Sequence, residues 1–218
     1  MALFLDRLRD NAYKNLDVDD HVVDIDGWMQ EDFISIFKNA IRNRNPLDNL
    51  TIIEVGTWKG LSASSMATIL KDSNFTNFKI ICVDTWLGAP EFWTWGLDDP
   101  TRGLSLKLVN GWPNAFTTFT KNMKKLGHDN VIIPLPLSSV QAADVLTYYK
   151  ITADIIYIDA AHEYMAVKKD IDSYVPLLKN DGILIGDDYC DYWAGVKRAV
   201  NESFKTPIIE GSIWYNYK

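Results

Sequence analysis

Four apolar runs in this chain each close on a carboxylate at the point where a strand would give way to a turn. Thr51-Ile-Ile-Glu54-Val55 leads into Gly56-Thr-Trp-Lys-Gly60 and then into the small-residue run Leu61-Ser-Ala-Ser-Ser65. Ile80-Ile-Cys-Val-Asp84 follows, then Asp154-Ile-Ile-Tyr-Ile-Asp159-Ala-Ala-His162, then Gly182-Ile-Leu-Ile-Gly-Asp187-Asp188. Short apolar runs alternating with helical patterns make a parallel sheet covered on both faces. Ligands of such sheets bind outside the carboxyl ends of the strands, so acids gathered there mark a site.

The strands fall at 50–55, 79–83, 131–135, 154–158 and 182–186. Helices are expected at 29–43, 61–71, 113–126, 139–149, 163–175 and 192–204. Residues 1–27 read as a short amphipathic helix and an acidic, irregular stretch. Two apolar runs around Gly211 can pair as a hairpin or supply late strands. No repeat or linker interrupts the chain, so a single α/β core at 49–218 is expected, preceded by an N-terminal helical extension at 1–48. Residues 86–112 hold four of the eight tryptophans, Pro90, Pro100 and several glycines. A long irregular segment this rich in aromatics reads as functional rather than disordered.

Composition excludes some partners. At 218 residues the chain can bury one core, and its net charge of −7 lacks the basic footprint of a nucleic-acid binder. The first residues carry charges within a short apolar pattern, and no run reaches the roughly 20 apolar residues of a membrane span. Two cysteines in unlike settings suit a reducing cytoplasm.

The chemistry is carried by the turn after the first strand and by the acids. A dinucleotide fingerprint needs glycine where Trp58 stands, so a pyrophosphate is disfavoured and a ligand with one nucleoside fits better. Asp84 can accept the hydroxyl hydrogens of a ribose. Asp159, Asp187 and Asp188 sit on neighbouring strand ends, where carboxylates repel unless a cation joins them or their pKa values rise. Hard oxygen ligands select Mg2+ or a similar divalent ion. His162, three residues past Asp159, is placed to accept a proton near neutral pH.

Glu54 to Gly60, Val83 to Gly88, Ile156 to Tyr164 and Leu177 to Tyr189 together resemble the class I S-adenosylmethionine-dependent methyltransferases. The likeness is greatest to the metal-dependent O-methyltransferases of the macrocin and cephalosporin-pathway type. It implies a single Rossmann-like doubly wound sheet of seven strands, mostly parallel with a late antiparallel strand at Ile213–Tyr217. Glu54, Gly56, Thr57, Gly60 and Ser62 would surround the methionine moiety of S-adenosyl-L-methionine, with Asp159 adjoining it. Asp84 would hold the ribose, Trp86 would lie near the adenosine, and Ser138 and Ser139 by the adenine. Asp159, Asp187 and Asp188 match the relatives' metal ligands, and His162, with Asp159, falls where they carry the catalytic residues. Ala160-Ala161 departs from the pattern of a small residue followed by an acid, and the N-terminal region diverges most.

The implied activity is methyl transfer to a hydroxyl of a small molecule such as a sugar diol, a catechol or a natural product. The expected partner is that acceptor, with neither nucleic acid nor membrane, and the N-terminal helix is a candidate contact with a second copy of the chain. A nucleoside-cofactor binding protein without turnover and a nicotinamide-dependent oxidoreductase are the competing readings.

Overall fold

The computed structural model describes residues 2–100 and 102–218. Met1 and Thr101, within the expected N-terminal extension and Trp-rich segment, lie outside the described residues. Two helices come first, α1 (Ala2–Tyr13) and α2 (Glu31–Ile41). They are followed by β1 (Leu50–Val55), α3 (Leu61–Asp72), β2 (Phe78–Asp84), α4 (Pro90–Thr94) and α5 (Ala115–Lys125). Next come β3 (Ile132–Pro136), α6 (Ser139–Tyr148), β4 (Ala153–Ile158), α7 (Tyr164–Tyr174) and β5 (Leu178–Gly186). The chain closes with α8 (Ala194–Ser203), β6 (Ile208–Glu210) and β7 (Ile213–Tyr217).

The strands form one sheet in the order β3-β2-β1-β4-β5-β7-β6. The first five are parallel, and β7 runs antiparallel to both β5 and β6. This is the expected seven-stranded, doubly wound sheet, and the two runs around Gly211 both pair as a hairpin and extend it. The chain steps outward from β1 to β3, then returns to the middle as β4. The carboxyl ends of β1 and β4 therefore flank the switch point where a crevice must open.

Successive residues of a strand face opposite sides, so each strand feeds two cores. Ile52, Ile80, Ile155 and Ile183 pack with Phe33 and Phe37 of α2, Met66 of α3 and Phe119 of α5. Ile53, Ile81, Ile156 and Leu184 pack with Leu146 of α6, Ile171 of α7 and Val200 of α8. The N-terminal region divides between these layers. Phe33 and Phe37 are fully buried on one face, and Leu5 of α1 is buried on the other.

Two local differences from the sequence reading have physical reasons. The fifth strand starts at Leu178 rather than 182, although Lys179-Asn-Asp-Gly182 has the look of a turn. These residues stay extended because Lys179 Nζ reaches the buried Asp154 Oδ2 at 2.7 Å, and a register shift between Ala153 and Ile155 absorbs the mismatch. The Trp-rich segment is not wholly irregular, since it contains α4 and a 3-10 turn at Gly103–Leu106. Among the described residues, no helix is long and apolar enough to cross a membrane.

The rim depends on close packing at Gly186, the last residue of β5. A Cβ there would lie 2.2 Å from the indole carbons of Trp214. Gly186→Ala is expected to lower stability by about 1–3 kcal/mol through overpacking, read as a lower melting temperature. An unchanged melting temperature would contradict this account of the strand end.

Candidate active site

An open cleft of about 740 Å³ lies along the carboxyl ends of β1, β2 and β4. Its floor begins at the β1–α3 turn. Gly56 has φ +90°, and a Cβ on it would lie 1.9 Å from the backbone oxygen of Asp159. Only glycine lets the turn approach β4 so closely. Thr57, Trp58 and Ser62 line the cleft beside it.

Glu54 supports this turn from beneath. It is fully buried and off the cleft wall. Its carboxyl accepts hydrogen bonds from the Ser62 hydroxyl, from Thr57 Oγ1 at 2.8 Å and from Cys82 Sγ at 3.7 Å. Burial pushes its pKa up to about 7 against these donors. Gly60 is also a support. It starts α3 at φ +92°, and a Cβ there would meet Met123 Cε at 2.6 Å.

Asp84, at the end of β2, reaches the cleft and holds two turns at once. Its Oδ2 accepts from Trp58 N–H at 2.8 Å and its Oδ1 from Trp86 N–H at 2.7 Å. Both tryptophans have left-handed backbones, at φ 50° and 54°. Such conformations persist for non-glycine residues where surrounding contacts over-determine them, and this carboxylate supplies those contacts. Burial raises the pKa of Asp84, while the backbone donors oppose the rise.

Trp86 is not among the residues that line the cleft. Its left-handed turn directs the indole into the core, where it is 1% exposed, packs on Phe116 and Phe119, and donates from Nε1 to Trp58 O at 2.7 Å. Ser138 and Ser139 do line the far end of the cleft, where Ser138 caps α6. Asp170 of α7 faces the same end. It is buried, and desolvation raises its pKa to about 6 although the Ser139 hydroxyl counters this.

The strand-four and strand-five acids converge, joined by a residue that sequence reasoning passed over. Tyr157 Oη lies 3.2 Å from both Asp159 Oδ2 and Asp187 Oδ2. Tyr157 stands two residues before Asp159 and so shares its face of β4, which was the available signal. Asp187 Oδ1 accepts from Ser212 Oγ at 2.9 Å and from Asp188 N–H at 2.6 Å. Burial raises the pKa of Asp159 well above the usual carboxylate range, with the charges of Asp187 and Asp188 adding to it. Burial raises Asp187 as well.

Asp188 has a left-handed backbone, at φ 65°, and its Oδ2 lies 2.8 Å from His162 Nε2. His162 stacks on Trp193 at 3.8 Å between ring centroids, and its Nδ1 is 4.0 Å from Glu91 Oε1. The donor set is oxygen-rich and suits a hard cation in its chemistry. Among the described residues, however, no three acid, histidine or cysteine side chains are arranged to hold a metal ion. Hydrogen bonds from Tyr157, Ser212 and His162 occupy part of that oxygen set.

The acidic stretch before α2 and the Trp-rich segment meet over the cleft. Lys59, 1% exposed, reaches Asp26 Oδ1 at 2.7 Å and Asp24 Oδ2 at 3.3 Å, while Lys107 reaches Asp24 Oδ2 at 2.6 Å. Burial alone would raise the pKa of Asp24, but the two lysines outweigh it and the net shift is downward. Trp28, Phe92 and Arg102 complete this wall. Their sequence neighbourhoods carry no motif, and only the fold brings them together.

A pH dependence of stability follows from Glu54. Its folded pKa, about 7, exceeds its ordinary value of 4.5. Between those values the folded chain keeps a proton that the unfolded chain has released, so stability falls as pH rises through the window. Glu54→Gln should remove about 3 kcal/mol of that fall between pH 5 and 8, read from urea midpoints. A variant with the wild-type slope would show that Glu54 ionises freely.

Comparison with known proteins accords with this geometry. The sequence model of a family described as a methyltransferase domain matches residues 53–189. An uncharacterised protein of Acanthamoeba polyphaga mimivirus is 26% identical over 157 residues, which is 71% of this chain. The chain spans 59% of the length of that curated relative. The solved O-methyltransferase NovP superposes with TM-score 0.62 at 15% identity, covering 100% of this chain and 98% of its own. An O-methyltransferase from Bacillus cereus in complex with SAH gives TM-score 0.58 at 14% identity, covering 100% and 91%. The match spans the turn after β1, Asp84, the β4 acid and His162, and ends just past Asp188, so this chain belongs to the methyltransferase domain family, built on the class I S-adenosylmethionine-dependent fold.

Proposed function

We propose that the chain is an O-methyltransferase that moves the methyl group of S-adenosyl-L-methionine to a hydroxyl of a small molecule. The observation that carries this reading is the His162–Asp188 pair on the wall of the cleft that holds Asp84 and the Gly56 turn. With Nε2–H donating to Asp188, the Nδ1 lone pair is left to take a proton. The acceptor oxygen attacks the methyl carbon, the carbon–sulfur bond breaks, and S-adenosylhomocysteine leaves as a neutral thioether. The hydroxyl proton passes to His162 Nδ1, on the side of the ring where Glu91 Oε1 lies 4.0 Å away.

Positioning supplies much of the catalysis in such a displacement. The Gly56 turn, Thr57 and Ser62 would hold the methionine part, Asp84 the ribose, and Ser138, Ser139 and Asp170 the adenine end. The stretch over 17–28 and the segment 86–112 would exclude water from the reacting atoms. Trp58 blocks the close backbone approach that a pyrophosphate needs, which weighs against a nicotinamide cofactor.

Metal dependence is a separate part of the proposal. Asp159, Asp187 and Asp188 would hold Mg2+ or another hard divalent cation only after rearranging, because their side chains are not set as a metal site in this structure. Such an ion, when bound, stabilises a developing alkoxide or phenolate as a Lewis acid. Turnover that disappears on chelation and returns with Mg2+ is the expected result. Equal turnover in chelator would leave proton removal to His162 alone.

The central test is His162→Ala assayed for S-adenosylhomocysteine formation with catechol and sugar diols. Turnover should fall by about 10²- to 10⁴-fold while S-adenosylhomocysteine binding stays within about twofold. Full activity in that variant would overturn the assignment of the base.

A further inference from the structure

The geometry points to an acceptor that carries an anionic group, a carboxylate or a phosphate, received by Arg102. This inference rests on the methyltransferase reading and names the substrate class of the same cleft. Arg102, from the Trp-rich segment, lines the same cleft as Asp84, Asp159 and His162. Its guanidinium carbon lies 3.8 Å from the centroid of the Trp28 ring, 5.4 Å from that of Phe92 and 5.9 Å from that of Trp95. Stacking on aromatic faces fixes the plane of the guanidinium without using its N–H donors.

Those donors are not engaged elsewhere. Among the described residues the guanidinium has no ion-pair partner and makes no hydrogen bond, and only the backbone N–H of Arg102 is bonded, to Asp99 Oδ1 at 2.9 Å. The nearby acids of the 17–28 stretch are already matched. Asp26 accepts from Lys59 and from Ser105 Oγ at 3.1 Å, and Asp24 accepts from Lys59 and Lys107. A planar, oriented guanidinium in a cleft, with its hydrogen-bonding edge unused, fits a bidentate oxyanion.

Placement assigns that anion to the acceptor. Arg102 packs near Phe92, whose chain neighbour Glu91 lies 4.0 Å from His162 Nδ1. One short helix, α4, thus spans from the proton-accepting imidazole to the guanidinium. A small acceptor with its hydroxyl at His162 would extend along α4 and place a charged group at Arg102. Arg102 is then a specificity-determining residue that touches substrate and takes no part in the methyl transfer itself.

The test uses matched diols that differ in charge. Protein saturated with S-adenosylhomocysteine is titrated calorimetrically with 3,4-dihydroxybenzoate against catechol, and with glycerol 3-phosphate against glycerol. Wild-type protein should bind the anionic member of at least one pair about tenfold or more tighter, and the pair that responds tells carboxylate from phosphate. Arg102→Met should abolish that preference while S-adenosylhomocysteine affinity stays within about twofold. Arg102→Lys, which keeps charge but loses the planar fork, should retain only part of it. A melting temperature equal to wild type shows that each variant is folded.

No charge preference in the wild type, or a preference that survives in Arg102→Met, overturns the inference. Weakened S-adenosylhomocysteine binding in Arg102→Met also overturns it, because the guanidinium would then serve the cofactor's own carboxylate. Failure of the wild type to bind S-adenosylhomocysteine at all would instead sink the methyltransferase reading, so the two failures are distinct.

Discussion

The constraint on which the rest depends is a set of desolvated carboxyl groups at one edge of the sheet. Glu54, Asp84, Asp159 and Asp187 lie on or just past the ends of β1, β2, β4 and β5, and burial raises the pKa of each. Buried carboxyls are tolerated only where donors surround them. The local architecture of the rim is largely the set of those donors. Thr57 and Ser62 serve Glu54, the Trp58 and Trp86 amides serve Asp84, and Tyr157, Ser212 and the Asp188 amide serve the β4–β5 pair. The left-handed backbones of Trp58, Trp86 and Asp188 are the local cost of aiming those amides. A rim built in this way has its buried acceptors matched by the protein's own donors.

The cleft has two unlike walls. The sheet side is made of strand ends and turns held by these hydrogen bonds. The opposite side is made of the stretch before α2 and the Trp-rich segment, tied together by Lys59, Lys107 and their aspartates and by the stacking of Arg102 on Trp28. The cofactor half of the proposed reaction would rest on the wall made from strand ends and the acceptor half on the wall made from loops. That division suits a fold whose donor is constant while acceptors vary, since loops carry specificity on a fixed scaffold.

Most of the sheet was legible in the sequence because parallel strands buried on both faces read as unbroken apolar runs, and a carboxylate or glycine marks where each ends. β5 was read four residues short because Lys179-Asn-Asp-Gly182 carries turn residues, and what keeps it extended is a lysine on a distant buried aspartate. The site was legible as a set of acids and one histidine, but not in the role of each. Glu54 and Gly60 support the cleft from behind its wall, and Trp86 belongs to the core. Nothing in the local sequence tells a wall residue from a support, because that depends on which way a turn rotates. Arg102, Trp28 and Asp170 are far apart in sequence and in unpatterned or ordinary helical stretches. Only the packing of loop against loop, and of α7 against α6, shows that they face one cavity.

The most direct measurement is calorimetric titration of the wild-type protein with S-adenosyl-L-methionine, with NADH as the comparison ligand. The account predicts saturable one-to-one binding of S-adenosyl-L-methionine, displaced by S-adenosylhomocysteine, and no binding of NADH. Absence of saturable S-adenosyl-L-methionine binding, or preferential binding of NADH, would contradict it.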